Sequence, residues 1–210
     1  MKRLFYIVLT VILVLGILYI YLHRQELGLA SPGSDEGTGA EQAGSTTSPA
    51  RMDWQKVDRS PDGFKVEMPS DAREIQIPAY NERGGSELVN MLVSNPNSET
   101  NFSVAWADDP PVARVNGHAP DRTMDMARDD ALARTQSTLV SESRINLGGF
   151  PAREFMGRNT GGGIIYSRLI FAGQRLYMLI AAFPSASARR DRDVTRFFNS
   201  FTVTSSASIP

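Results

Sequence analysis

Nineteen consecutive residues near the start of the chain, Leu4–Leu22, read LFYIVLTVILVLGILYIYL and carry no charge. As a helix rising 1.5 Å per residue this run spans about 28 Å, close to the hydrocarbon thickness of a bilayer. Lipid offers main-chain groups no hydrogen-bond partner, so a helix is the form such a run takes there. Tyr6, Tyr19 and Tyr21 fall near its two ends, where amphipathic rings favour the interface. A core helix of a soluble domain would show a polar stripe, and this run shows none. A cleaved signal peptide has a shorter apolar run with a small-residue site directly after it. Gly28-Leu29-Ala30 offers such a site, but it lies beyond the polar stretch His23-Arg24-Gln25-Glu26. Residues 4–22 are therefore predicted to be an uncleaved transmembrane signal-anchor helix, with the bilayer as the chain's first partner. Lys2 and Arg3 precede it, and Arg24, offset by Glu26, follows it. The positive-inside bias then places residues 1–3 in the cytoplasm and the C-terminal part outside, in a single-pass protein of the plasma (inner) membrane.

Residues 23–52 are rich in Gly, Ser, Thr, Ala and Pro, with no aromatic or large aliphatic side chain between Leu29 and Met52. Such a stretch buries too little apolar surface to offset its ordering entropy, and is expected to be a flexible linker. Random-coil scaling gives its 24-residue central part a reach of roughly 25–30 Å. Residues 53–204 have the length of one globular domain, and 205–210 form a short tail. With no cysteine, disulfides, thiol catalysis, cysteine metal sites and a lipid-modified N-terminal Cys are excluded. A net charge of -1 provides no basic excess for nucleic acid. Only Lys2, Lys56 and Lys65 are lysines among 22 basic residues, an arginine bias that hints at a bacterial source.

Alternation predicts strands at Phe64–Met68, Glu87–Ser94, Asn101–Ala107, Leu139–Leu147 and Ala152–Gly157. Ile164–Phe171 and Leu176–Phe183, joined by the hairpin loop Ala172-Gly173-Gln174, are apolar on both faces and are expected centrally, covered on both sides. Helical spacing marks Pro120–Ser137, through Met124, Ala127, Ala131 and Leu132, and Ala186–Ser200, through Val194, Phe197, Phe198 and Phe201. Phe201–Thr204 is predicted as a last strand. This order predicts an α+β fold, an antiparallel β-sheet flanked by helices and preceded by one transmembrane helix.

Trp54, the turn Ser60-Pro61-Asp62-Gly63 running into Phe64, Val66 and Met68-Pro69-Ser70, the segment Gly173-Gln174-Arg175-Leu176-Tyr177, and the closing run Arg192–Phe201 together resemble PsbP-like domains over most of residues 53–204. The resemblance implies a three-layer αβα sandwich, frequent in small exported proteins. Its motifs are turn glycines and core aromatics, and it implies no catalysis and carries over no site residue.

No residue stands out as catalytic, cofactor-binding or metal-ligating, and no cofactor is expected. His118, in the loop Val115–Pro120, reads as a solvated loop histidine. Asp121, Asp125 and Asp129 recur every four residues with Asp130 beside them, which would suit a cation. Arg122, Arg128 and Arg134 interleave, and Asp near a helix start favours the dipole, so the stripe reads as a solvated helix face. Asp108-Asp109-Pro110-Pro111 reads as a turn. Gly161-Gly162-Gly163 lacks the Lys-Ser/Thr of a phosphate loop and reads as a hairpin tip. Arg189, Arg190, Arg192 and Arg196 could meet anionic headgroups, but Asp191 and Asp193 dilute them. The expectation is a membrane-tethered, extracytoplasmic binding or scaffolding module, not an enzyme, with a protein partner in the cell envelope. The alternatives are an exported carboxylate-dependent enzyme using Asp108, Asp109 or Asp121, and a cytoplasm-facing membrane adaptor.

Overall fold

A computed structural model describes residues 52–80, 86–97, 100–114 and 117–204. The predicted anchor, most of the linker and the tail lie outside the described residues. Among those described, no helix is long and apolar enough to cross a membrane.

The chain opens with β1 (Trp54–Arg59) and β2 (Phe64–Pro69), an antiparallel pair joined by a single 3-10 turn, Ser60–Asp62. Pro61 suits the start of that turn, and Gly63 closes it in the left-handed region at φ 78°. Then come β3 (Arg73–Tyr80), β4 (Ser86–Ser94), β5 (Asn101–Asp108) and the short helix α1 (Pro111–Arg114). Helix α2 (Pro120–Arg134) leads to β6 (Ser137–Leu147), β7 (Phe150–Asn159), β8 (Ile164–Ala172) and β9 (Arg175–Phe183). Helix α3 (Asp191–Ser200) and β10 (Thr202–Val203) complete the domain.

Seven strands form one antiparallel sheet in the order β3-β4-β5-β9-β8-β7-β6, with β9 in the middle. The two strands read as apolar on both faces thus stand at and beside the centre, and they feed two cores. Ile165, Leu169, Phe171 and Leu176 pack with Met124, Ala127, Ala131 and Leu132 of α2. The alternate residues Ile170, Tyr177, Leu179, Ala181 and Phe183 pack with Val194, Phe197 and Phe198 of α3 and with Phe201. The helices therefore cover opposite faces, an α/β/α arrangement built on antiparallel strands.

The closing strand does not extend this sheet. β10 pairs with β2, making a small sheet β1-β2-β10 that shares the α3 core through Phe64, Val66 and Met68. Phe64 lies 5.1, 5.7 and 5.5 Å from the rings of Trp106, Tyr177 and Phe201. Phe102 likewise meets Trp54, Phe197 and Phe183 at 5.6, 5.4 and 6.0 Å. Each buried phenylalanine contributes about 1.5–3 kcal/mol of transfer free energy, which makes this aromatic layer the main cohesion of the domain.

Sequence periodicity missed β1, β3 and α1. In β3 the apolar residues Ile75 and Ile77 are outnumbered by charged and polar neighbours, as suits an edge strand. Helix α2 stops at Arg134, three residues short of the predicted end, because Gln136 turns left-handed (φ 50°) and Ser137 already pairs in β6. Helix α3 starts at Asp191, later than predicted. The β8–β9 loop is Gly173-Gln174, since Ala172 already pairs with Arg175.

Candidate functional site

Two charged clusters stand out, one at the end of the sheet where β5 stops and β9 begins, the other between α2 and the strands beneath it.

In the first, Asp108 ends β5 directly opposite Arg175, the first residue of β9. The Arg175 guanidinium grips both carboxylate oxygens of Asp108, the second at 2.8 Å, and donates a further bond to the Asp62 carbonyl. The Tyr177 hydroxyl donates to that same carbonyl at 3.0 Å and to the Gly63 carbonyl at 3.2 Å. The Asp62 carboxylate accepts from Trp106 Nε1 at 3.2 Å and from Arg59 Nε at 2.8 Å. Arg59 in turn forks onto Glu74 at 2.8 and 2.9 Å and lies 5.3 Å over the Trp106 ring. The hydrogen bond to Asp108 raises the Arg175 pKa, and burial raises that of Tyr177. Both groups stay fully protonated near neutrality and serve as fixed donors.

One residue further on, Asp109 adopts a left-handed backbone (φ 43°), and its N–H donates to the Gln174 carbonyl at 2.9 Å. His118 Nε2 lies 2.6 Å from Asp109 Oδ1, and Arg114 donates to the Asp109 carbonyl. His118 is itself left-handed (φ 58°). Asp109 and His118 are about half exposed, at 41% and 38% for their side chains. His118 is therefore a tied residue and not the freely solvated one that its loop position suggests.

The second cluster adds a role to the aspartate stripe, whose Asp121 and Asp129 side chains are solvated at 60% and 57% exposure but also pair with arginines at the edge of the α2 seat. Arg153 of β7 is 1% exposed and points up under α2. It binds Asp125, Asp121 at 3.0 Å and Glu142 of β6 at 3.0 Å. Arg128 bridges Glu142 at 2.6 Å, Asp129 at 2.7 Å and Asp125 at 3.3 Å. Arg144 approaches Asp121 at 3.7 Å. Arg134, expected on a wet face, is buried and bound to Asp130 at 2.7 Å. A charge taken out of water must be paired, and here the stripe supplies the pairing for a buried arginine. Among the described residues no group of three His, Asp or Glu side chains converges to hold a metal ion.

The remaining candidates have structural places. Gly161–Gly163 form the β7–β8 tip, closed by Asn159, whose N–H donates to the Gly163 carbonyl and whose side chain accepts from the Gly163 N–H. On α3 and its approach, Arg189 binds Asp191 and covers the Tyr166 ring, Arg190 lies 3.9 Å from Asp193, and Arg196 binds Glu67 while covering Trp54. These arginines are balanced by carboxylates. Asp108, Asp109 and Asp121, the three carboxylates considered for catalysis, are divided between the two clusters. The partners missed from sequence are Arg153, Arg175 and Tyr177. Arg153 and Arg175 left a trace, each being a charge in register with a buried aromatic two residues on, Phe155 in β7 and Tyr177 in β9.

The fold defines the class, an α+β protein whose antiparallel sheet is sandwiched between helices. No family model matches the chain, and no curated protein matches it. Similar solved structures include cyanobacterial PsbP from Synechocystis sp. PCC 6803, at 15% identity and a TM-score of 0.47, covering 82% of this chain and 98% of that one. A Pseudomonas aeruginosa protein of unknown function, PA94, aligns at 16% identity and a TM-score of 0.34, covering 66% and 86%. A Bacteroides thetaiotaomicron protein aligns at 12% identity and a TM-score of 0.34, covering 67% of this chain and 44% of that one.

Proposed function

We propose that this chain is a membrane-tethered, extracytoplasmic binding or scaffolding module with a PsbP-like domain, held by residues 4–22 in the plasma (inner) membrane and partnered by a protein of the cell envelope. One observation carries the non-catalytic part of the reading. The side chains with chemical potential are already engaged by arginine: Asp108 by Arg175, Asp109 by Arg114 and Asp121 by Arg153. Carboxylates bound in this way hold the fold, whereas a general base must be free to take a proton from substrate. The uncharged run at 4–22 and the Gly/Ser-rich linker support the tether.

A single feature favours the second reading, an exported enzyme. Asp109 and His118 form a short His–carboxylate contact on left-handed backbone, and strained backbone clusters at functional sites.

Co-purification separates the two. Full-length protein is cross-linked in cells, extracted in detergent and recovered alongside Asp109→Asn and His118→Asn variants of unchanged stability. The module reading expects one stoichiometric envelope protein with all three forms. Recovery of no partner, together with loss of the cellular phenotype in both variants, overturns it in favour of the enzyme. A C-terminal reporter active only in the cytoplasm overturns the topology and leaves the adaptor.

A further inference from the structure

We infer that helix α2 is a displaceable cover, able to lift from the sheet as a unit while the α3 side of the domain stays folded. The two helices are seated by different physics. Helix α3 buries Val194, Phe197 and Phe198 and is followed at once by buried Phe201. Helix α2 buries two large apolar side chains, Met124 and Leu132; its other buried residues are Ala127, Ala131, Thr123 and Arg134. Met126 packs partly buried at its margin, and ion pairs supply the rest of its seat, through Asp121 and Asp125 on Arg153, and through Arg128 on Glu142. Ion pairs give back most of their attraction in desolvation, so such a seat adds little net cohesion.

The interface is also incompletely satisfied. Thr123 Oγ1, an Arg134 guanidinium nitrogen and Arg153 Nε are buried without a hydrogen-bond partner. Each would gain one from water on lifting. Both ends of the helix are strained in the closed position. His118 (φ 58°), next to Gly117 (φ 59°), precedes α2, and Gln136 (φ 50°) follows it. Left-handed backbone is unfavourable for residues with a β-carbon, so release of the helix relaxes both hinges. No side-chain cap holds the helix start, where Ala119 precedes Pro120. Sparse apolar contacts, unpaired buried groups and strained flanks are the marks of a segment that opens below the global unfolding free energy. The lifted state presents Phe155, Leu169, Phe171 and Leu176, an apolar surface that the closed domain keeps from water.

Native-state hydrogen exchange on the full-length protein in detergent tests this. The α2 amides are expected to exchange through an opening that costs less, and depends less on denaturant, than that of α3 and β9. Thr123→Val removes a buried, unpaired hydroxyl and should slow α2 exchange about tenfold, with α3 unchanged. Gly157→Ala acts the other way. Its new carbon would stand 2.6 Å from Leu132 Cδ2, 3.0 Å from Ile165 Cγ1 and 3.2 Å from Ser137 Cβ, crowding Leu132 in its seat and speeding α2 exchange with α3 unchanged. The inference is overturned if α2 and α3 amides share one opening free energy, or if the two variants shift both helices by the same factor.

Discussion

Replacing Arg175 by Met and Tyr177 by Phe, singly and together, tests whether the Asp62 carbonyl is the point at which the small sheet is locked to the large one. Both side chains donate to that oxygen, and both are buried. Tyr177→Phe removes the single hydroxyl proton shared between the Asp62 and Gly63 carbonyls, but Arg175 still satisfies the Asp62 carbonyl, so the loss should be about 1 kcal/mol. Arg175→Met removes a charge-assisted fork as well. The Asp108 side chain left behind is 51% exposed and is rehydrated, which keeps the cost near 2 kcal/mol and below the 3–5 kcal/mol or so expected for breaking a wholly buried pair. In the double variant the Asp62 carbonyl loses both donors inside the turn. An unpaired buried acceptor costs about 1–3 kcal/mol, so the total should exceed the sum of the single losses by about 1 kcal/mol. Urea unfolding of the full-length protein in detergent reads this through fluorescence. Trp54 and Trp106 are the only tryptophans, and Trp106 donates to the Asp62 side chain. Additive losses, within about 0.3 kcal/mol, would refute the shared-acceptor argument.

Three further outcomes are expected. Phe197→Ala, at a side chain 0% exposed among the rings of Phe102 and Phe198, should cost about 3–5 kcal/mol in the same assay. Burial raises the Asp130 pKa above its ordinary value of 3.8, against the lowering effect of Arg134. The folded state therefore binds the Asp130 proton more tightly than the unfolded state does. Stability from this group is present below 3.8 and lost as pH rises through the raised value, so urea midpoints measured upward from pH 3 should fall relative to Asp130→Asn, and parallel curves would exclude the effect. Alkaline carbonate should leave the intact chain in the membrane pellet and release a variant lacking residues 4–22; release of both would remove the anchor.

Much of the fold was legible because one period repeats over enough residues. The alternation of β2, β4 and β5, the doubly apolar β8 and β9, and the spacing of Val194, Phe197 and Phe198 each report a local geometry that burial enforces. β1 and β3 escaped because their alternation is diluted by charge. The charged clusters escaped for a different reason. Arg175 and Asp62 are 113 residues apart, as are Arg153 and Asp121 by 32, and no local pattern links them.

Within the described domain, the sequence by itself determined which faces meet solvent and which meet core, since that choice depends on each side chain's own transfer free energy and on its spacing along the chain. Only the tertiary structure decided what the charges do. A carboxylate on a helix reads the same whether it faces water or a buried guanidinium, and the difference arises when the sheet brings Arg153 beneath Asp121 and Asp125. Pairing depends on distances in space, which the chain sets only once it has folded.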